Sequence, residues 1–487
     1  MQDLLRNTWQ VICHTLLIYL ITPTSVAESS TIEALLAPLQ KSATVAIMVS
    51  DLKSGQTLIA KNETIYLQPA STMKILTSII ATESLHHQRP FTTELRAYGH
   101  QNNQIFHGDI HLELGANPSF TDLDLSKLVT EIKKRNISQV DGNLLILKNH
   151  FDEIERIPGT VWDELNDCYA APVSDISINQ NCFYLTLLNL DNQISHYATE
   201  SYQPTQLSIH IKDNCQDQKH PHSHYPAYGY GVFLKQYPFE QPDTLRGCWS
   251  KEIAYWVLKR SINHPDQLLK SRLQNALNQN NIQILGDTTI ITRKPVTQQK
   301  PKWRTTIPSA PLSNLLRDML EKSNNHIANQ IFKESAYQRQ QSTATWEDAQ
   351  AHAQTVLEKY QLYDENSTIT DGAGLSRNNR ITAQQLQNSL IAIYRSPKLK
   401  PLVQLFANQD SEQSTLSKRL ENVNLPIFAK TGSLSSVTAI AGYMDPYGPK
   451  PKAFTLIING NHATQKNYLE IEPSLLQQIH EINKLNS

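Results

Sequence analysis

The chain has 487 residues, of which 39% are hydrophobic, and its 44 Lys and Arg nearly balance its 45 Asp and Glu, giving a formal net charge of −1. This length indicates two to four domains, and the hydrophobic fraction is sufficient for globular cores. The balanced charge gives no basis for a nucleic-acid partner or for binding to an anionic membrane surface.

The first 27 residues have the pattern of a secretory signal peptide. Arg6 precedes a mostly apolar run over 11–21, Pro23 ends that run, and Ser25-Val26-Ala27 has the small-x-small pattern of a cleavage site. The run is short for a membrane span, and an uncleaved anchor is the alternative. We therefore expect a mature chain from Glu28, exported to the periplasm, with no integral membrane segment after cleavage.

Residues 28–90 predict a helix, a hairpin and a second, buried helix. The helix is expected over Thr31–Leu39, and the hairpin strands over Ala43–Val49 and Gln56–Ala60. After Pro69 an apolar run without Gly or Pro follows, which indicates a helix buried on most sides with Ser71 in its first turn.

Ser71-Thr72-Met73-Lys74 places a serine and a lysine on one face of that helix, because positions three apart are neighbours. A serine hydroxyl needs an adjacent base to become a nucleophile. A lysine can be that base only when burial or a second cation lowers its pKa. A buried helix start offers the burial, and its N–H groups favour developing negative charge. For Ser-x-x-Lys taken alone, a solvated helix surface is the alternative.

Residues 91–302 are rich in short strands. The predicted elements are strands at Thr92–Tyr98, Gln104–Leu114, Gly142–Leu147, Cys182–Leu190 and Gln206–Ile211, and helices at Asp124–Lys134, Ala254–Ile262 and His264–Asn280.

All the cysteines that remain after the signal peptide lie between positions 168 and 248. Four cysteines in an exported chain indicate two disulfides with three possible pairings, and we favour sequence neighbours, Cys168–Cys182 and Cys215–Cys248. There is no C-x-x-C pair, and the three histidines of Lys219–Tyr230 stand among Pro and Tyr, as in a solvated loop. We expect neither a metal nor a cofactor.

Residues 303–487 supply two further motifs. Ser323-Asn324-Asn325 follows a helix predicted over Ser313–Leu320, and an N-cap is the alternative role of Ser323. Lys430-Thr431-Gly432-Ser433 ends a predicted strand, whereas Asp371–Ser376 is a Gly-rich turn that does not open a helix as a phosphate loop does. The remaining elements are strands at Val437–Tyr443 and Lys452–Ile458 and a closing helix at Asn467–Leu485.

These three motifs, in this order, resemble those of the penicillin-binding proteins and serine β-lactamases. The separation of 252 residues from Ser71 to Ser323 fits the class C low-molecular-mass penicillin-binding proteins of serine peptidase family S13, which carry a large insertion between the first two motifs. Asn324 stands where that family commonly has Asp. Other stretches that look like the family are Gly108-Asp109-Ile110, Gly115–Pro118, Asp141-Gly142-Asn143, Trp162-Asp163, Tyr169–Pro172 and Asp371–Ser376.

The resemblance implies an α+β fold, in which a transpeptidase-like domain with an antiparallel sheet flanked by helices is interrupted by a large, mostly β insertion. The domain would comprise residues 28–90 and 303–487, and the disulfide-stapled insertion residues 91–302. The implied activity is that of a D-alanyl-D-alanine carboxypeptidase/endopeptidase acting on peptidoglycan stem peptides and crosslinks, with β-lactam antibiotics as covalent inhibitors.

Chemistry and resemblance together imply a role for each motif residue. Ser71 would form the acyl-enzyme, Lys74 would be its base, with a pKa depressed by Lys430, and Ser323 would relay the proton. Asn325 would bond the substrate amide, and the N–H groups of Ser71 and Ser433 would form an oxyanion hole, which can contribute roughly 3–4 kcal/mol per donor. The residues expected at the terminal carboxylate and along the open strand edge are Lys430, Thr431 and Gly432.

Three alternatives stay open. A β-lactamase uses the same motifs but deacylates quickly, and the long insertion argues against it. An esterase of the same fold and a non-catalytic peptidoglycan-binding protein are the others. The sequence does not decide between trimming a terminal D-alanine and cutting a crosslink, although Trp162-Asp163-Glu164 is a candidate for recognising the amino end of a side-chain diamino acid.

Overall fold

The computed structural model describes residues 24–88, 90–190, 193–199, 207–212, 232–236, 243–249, 254–293, 299–420, 423–460 and 462–482. Its helices are α1 (Thr24–Gln40), α2 (Lys74–Ser84), α3 (Asp122–Lys134), α4 (Pro265–Gln279), α5 (Leu312–Glu321), α6 (Asn325–Gln340), α7 (Trp346–Lys359), α8 (Ala383–Arg395), α9 (Thr415–Arg419) and α10 (His462–Glu481).

The strands within the described residues form four sheets. They are β1 (Ala43–Asp51), β2 (Thr57–Lys61), β3 (Thr92–Asn102), β4 (Ile105–Glu113), β5 (Gln139–Val140), β6 (Leu144–Leu147), β7 (Cys182–Leu190), β8 (Gln193–Thr199), β9 (Leu207–Lys212), β10 (Val232–Gln236), β11 (Asp243–Trp249), β12 (Tyr255–Ser261), β13 (Gln283–Ile284), β14 (Thr288–Ile291), β15 (Trp303–Pro308), β16 (Ile427–Leu434), β17 (Val437–Met444) and β18 (Lys452–Gly460).

Strands from both ends of the chain form one antiparallel sheet, in the order β16-β17-β18-β1-β2. The predicted hairpin is confirmed, since Met48 of β1 pairs with Ala60 of β2. All eight residues of β17 are buried, because helices cover both faces of the sheet. Helices α1 and α10 pack on one face, and α2 and α8 with their neighbours pack on the other.

The insertion is built on a seven-stranded mixed sheet with the path β13-β5-β4-β3-β15, to which β6 and β14 add alongside β4. Helices α3 and α4 pack on each other and share its apolar core. Helix α3 begins with a capping box between Thr121 and Asp124. Two three-stranded sheets, β12-β7-β8 and β10-β11-β9, complete the described part of the insertion.

The sheet of the insertion extends past the boundary that we predicted at residue 302. Strand β15 pairs antiparallel with β3, from Trp303 opposite Ala97 to Pro308 opposite Thr92. The pattern of a short strand does not tell which sheet it joins, so the sequence could not assign these six residues. Residues 303–308 thus pair within the sheet of the insertion.

The helix predicted over Ala254–Ile262 is wrong, because this stretch contains β12, which pairs with β7. Its burial alternates along the chain: Val257 is exposed, Leu258 buried, Lys259 exposed and Arg260 buried. This period of two is that of a half-buried strand, and aromatic and β-branched residues favour it.

One predicted disulfide is confirmed. Cys168 and Cys182 are bonded, with Cα atoms 5.3 Å apart, and they join a short 3-10 helix to the start of β7. Cys215 of the second predicted pair lies outside the described residues, as do the three histidines of the Lys219–Tyr230 stretch.

The insertion contacts the back of helix α6 through a buried ionic cluster. His150 Nδ1 lies 3.1 Å from Glu334 Oε2 on α6, and His150 Nε2 lies 3.5 Å from Glu113 Oε1 on β4. The imidazole stacks on Tyr337 with ring centroids 3.8 Å apart. Burial acts to lower the pKa of His150, but the two glutamates outweigh it and raise that pKa to about 10. Lys333 and Asp152 form a second ion pair nearby, at 2.6 Å.

Candidate active site

Ser71 and Lys74 lie side by side at the start of helix α2. A 3-10 turn over Ala70–Met73 leads into the helix, and Lys74 Nζ is 2.9 Å from Ser71 Oγ. The lysine side chain is fully buried, whereas Ser71 is half-buried. The predicted spacing of three residues therefore produces a hydrogen-bonded serine and amine at the surface of the core.

Two further oxygens hold the Lys74 amine. Asn325 Oδ1 accepts a hydrogen bond from it at 2.7 Å, and the carbonyl oxygen of Ala373 accepts another at 2.8 Å. Burial lowers the pKa of Lys74 to about 7, although the Asp371 carboxylate acts to raise it. The amine is thus oriented by neutral acceptors and is deprotonated in a large fraction of molecules near neutral pH.

The Gly-rich turn at 371–376 positions the Ala373 carbonyl. Asp371 is buried and accepts N–H bonds from within the turn, while Asn329 of α6 accepts from the amides of Gly372 and Ala373. Gly374 has φ +78°, and a Cβ there would lie 1.9 Å from the carbonyl oxygen of Ala70. The sequence showed a tight turn here but carried no signal that its backbone would contact the lysine.

The Ser323-Asn324-Asn325 motif joins α5 to α6. Asn324 is the N-cap of α6, since its side chain accepts from the amide of Ile327 at 3.1 Å. The capping role considered for Ser323 therefore belongs to its neighbour, and Ser323 is half-buried with φ +61°. Asn325 Nδ2 donates to the carbonyl oxygen of Tyr169, a contact that the sequence did not indicate.

Lys430 lies buried on β16, and its Nζ donates to the carbonyl oxygen of Thr431 at 2.7 Å. Burial, then Lys74 and Arg419, hold the pKa of Lys430 well below its usual range. We expected Lys430 to depress the pKa of Lys74. Burial is the main cause of the lowered pKa of Lys74, and the mutual repulsion between the two amines adds to burial in lowering the pKa of Lys430.

The edge of β16 approaches the backbone of the serine. A Cβ on Gly432 would lie 3.0 Å from the carbonyl oxygen of Pro69 and 3.1 Å from the amide nitrogen of Ser71. Ser433 follows and is exposed, whereas Thr431 is buried and its hydroxyl bonds to that of Thr415 at 2.7 Å. Gly432 is thus required by a close approach of two backbones.

The candidate recognition segment Trp162-Asp163-Glu164 reaches the far end of β16 through an arginine. Glu164 Oε1 lies 2.7 Å from Arg377 Nη2, and Arg377 Nη1 donates to the carbonyl oxygen of Ser435 at 3.3 Å. Trp162 is 60% exposed. Within the described ranges, no group of three or more His, Cys, Asp and Glu side chains is arranged to hold a metal ion.

Comparisons with known proteins cover nearly the whole chain. Residues 29–476 match the D-Ala-D-Ala carboxypeptidase 3 (S13) family. A D-alanyl-D-alanine carboxypeptidase DacB of Haemophilus influenzae is 25% identical over 438 residues, which are 87% of this chain and 86% of the relative. A D-alanyl-D-alanine carboxypeptidase of Actinomadura sp. strain R39 is 23% identical over 434 residues, 88% of this chain and 79% of the relative.

Solved structures show the same fold. The crystal structure of penicillin-binding protein 4 (dacB) from Haemophilus influenzae superposes with a TM-score of 0.81 at 23% identity, covering 92% of this chain and 99% of that chain. The same protein complexed with a novel β-lactam gives a TM-score of 0.77 at 22% identity, with the same coverage. The predicted α+β fold with its insertion is confirmed. Because the family match extends over most of its length, the chain belongs to the D-Ala-D-Ala carboxypeptidase 3 (S13) family.

Proposed function

We propose that this protein is a serine D-Ala-D-Ala carboxypeptidase and endopeptidase that cleaves peptidoglycan stem peptides and crosslinks through an acyl-enzyme on Ser71. The observation that carries the proposal is the buried Lys74 amine, 2.9 Å from Ser71 Oγ and with a pKa of about 7. A base of that pKa is matched to proton transfer near neutral pH. Membership of the family supports the class of reaction.

The acylation step uses the neutral form of Lys74. Ser71 Oγ attacks the carbonyl carbon of the penultimate D-alanine while its proton passes to Lys74 Nζ. The amides of Ser71 and Ser433 stabilise the oxyanion, and the absence of a side chain on Gly432 lets the substrate approach. The C–N bond then breaks, and the departing amine receives a proton by way of Ser323. Water attacks the ester in the second half-reaction and releases the acyl group.

Substrate binding falls to the second and third motifs. Thr431 and Lys430 suit the terminal carboxylate, and a bound carboxylate favours the charged form of Lys430. Binding of the substrate would therefore raise the pKa of Lys430, which burial holds low in the free enzyme. Asn325 Nδ2 carries two hydrogens, of which Tyr169 takes one, so the other serves the substrate amide.

Trp162-Asp163-Glu164 with Arg377 forms a candidate subsite for the side chain of the stem peptide. An amine there would meet the carboxylates of Asp163 and Glu164 beside the exposed Trp162 ring. Burial raises the pKa of Glu164, while Arg377 acts to lower it. The pair lies next to the end of β16, where Arg377 donates to the carbonyl oxygen of Ser435.

Penicillins would acylate the same serine, because the attack on a strained lactam carbonyl leaves the amine tethered to the ester. We also propose export to the periplasm through the predicted signal peptide, where such substrates lie. No helix in the described ranges has both the length and the apolar character to cross a bilayer.

The test is the intact mass of the mature protein after incubation with benzylpenicillin, with a parallel digest of crosslinked muropeptides. The expected result is an adduct on Ser71 that is abolished by Ser71→Ala and retained by Ser78→Ala, a change at a buried serine of α2 seven residues further along the chain. Loss of D-alanine or of crosslinks identifies which bond is cut. Rapid penicillin hydrolysis with intact muropeptides would mean a β-lactamase. An absence of both adduct and cleavage would leave a binding protein.

A further inference from the structure

The short helix α9 links two of the catalytic motifs through one hydroxyl group. The Oγ1 atom of Thr431 on β16 is 2.7 Å from the Oγ1 atom of Thr415, a residue in the first turn of α9. The same Thr415 oxygen lies 3.4 Å from the carbonyl oxygen of Glu321, the last residue of α5 and two positions before Ser323. Thr415 is therefore placed between the strand that suits the substrate carboxylate and the loop that carries Ser323.

The directions of these hydrogen bonds follow from the donors available. Each threonine hydroxyl has one proton, and the Glu321 carbonyl can only accept. When Thr415 donates to Glu321, Thr431 donates to Thr415, and Thr431 then presents only lone pairs to the active site. A carboxylate also presents only lone pairs, so Thr431 must turn its proton outward to bind one.

The geometry makes that reversal inexpensive. Thr415 gives up a long contact of 3.4 Å with Glu321 and donates instead to Thr431 across 2.7 Å. Hydrogen bonds in such a chain polarise one another, and a bond to a charged acceptor is stronger than one between neutral groups. The Thr431 hydroxyl, once it accepts from Thr415, is a better donor to an anion.

We propose that Thr415 is a positioning residue that sets the specificity of the enzyme for substrates with a free terminal carboxylate, by donating to Thr431 while Thr431 donates to the substrate. This inference rests on the proposed peptidase function. It adds a residue outside the three motifs, and it assigns that residue to recognition of one charged group rather than to the chemical step.

Helix α9 is fixed firmly enough for this role. Its N-cap Ser414 is buried and accepts from the amide of Ser417 at 2.9 Å. At its other end Arg419 bonds to Glu472 at 2.6 Å and to Thr438 Oγ1 at 3.1 Å. Thr438 is the cross-strand partner of Ser433. The helix is thus bound to the same strand pair whose residues receive the substrate, so Thr415 keeps its distance from Thr431.

The experiment compares kcat/KM for an acyl-D-Ala-D-Ala peptide and for the same peptide with a C-terminal carboxamide. Thr415→Val removes the hydroxyl at nearly constant shape, Thr415→Ser retains it, and Thr355→Val makes the same change on the exposed side of α7. For Thr415→Val we expect a loss of about fivefold on the free acid, which corresponds to about 1 kcal/mol, and less than about twofold on the amide. Thr415→Ser and Thr355→Val should keep the wild-type ratio.

Equal losses on the two peptides, or no loss on either, would overturn the proposal, because a merely structural role cannot distinguish acid from amide. If Thr415→Val lowers the melting temperature, Thr415→Ala is used instead for the same comparison of kcat/KM on the free acid and the amide. A wild-type protein that cleaves neither peptide would instead reject the proposed function, and with it this role of Thr415.

Discussion

The pKa of Lys74 leads to a measurable pH dependence of acylation. A lysine with a pKa of about 7 is neutral in half of the molecules at pH 7, whereas one at the usual 10.4 is neutral in only about one in 2,500. Because the neutral amine is the base, the rate should rise with pH. The neutral fraction grows from about 9% at pH 6 to about 91% at pH 8, so we expect an increase of about tenfold.

The assay is the second-order rate constant for benzylpenicillin acylation, followed by intact mass from pH 5.5 to 9. The Asp371 carboxylate acts to raise the pKa of Lys74, so Asp371→Asn should move the midpoint to lower pH. Asp410→Asn, at an exposed position, should leave it in place. A flat profile between pH 6 and 8, a midpoint near 10, or a midpoint that rises in Asp371→Asn would refute the assignment of neutral Lys74 as the base.

Three further perturbations test other parts of the structure. Gly432→Ala places a Cβ 3.1 Å from the Ser71 amide nitrogen. Because such overpacking costs about 1–3 kcal/mol, we expect acylation to slow about tenfold or more. An unchanged rate constant would contradict the close approach of the two backbones. Replacing both Cys168 and Cys182 by Ser should lower the free energy of unfolding by about 3 kcal/mol in urea, since a short loop is released, and a loss below about 1 kcal/mol would speak against this. In urea unfolding, a double-mutant cycle of Glu164→Gln and Arg377→Gln should show a coupling free energy of about 1 kcal/mol, because the ion pair is mostly buried. Additive effects of the two changes on the free energy of unfolding would argue that the ion pair is absent.

Local patterns predicted the elements that carry the chemistry. The spacing of three residues brought Ser71 and Lys74 together because helix geometry is fixed over one turn. Runs of β-favouring residues between turns predicted the strand that contains Lys430 and the hairpin of β1 and β2. The sequence neighbours Cys168 and Cys182 were paired correctly because the chain between them is short.

Contacts made by backbone atoms of distant segments could not be predicted. The carbonyl groups of Ala373 and Tyr169, which orient Lys74 and Asn325, are backbone atoms of residues distant in the sequence from the side chains they bind. Periodicity also failed at β12, where apolar residues on a short run fit a helix as well as a strand. The extent to which burial lowers the pKa of each lysine depends on the depth of its side chain in the fold, which no motif records.

The ionic cluster of His150, Glu334 and Glu113 bears on whether the insertion could be removed from the protein. Glu334 is fully buried on α6, and its charge is matched by His150, which the insertion supplies. A shortened protein without residues 91–308 would lose this counter-ion and also the residues that cover Glu334, because Phe91, Glu113 and His150 line the same cavity. A minimal peptidase obtained by excision would therefore need a redesigned surface on this part of α6. In lineages that gained or lost such an insertion, this position on the helix should have changed along with it.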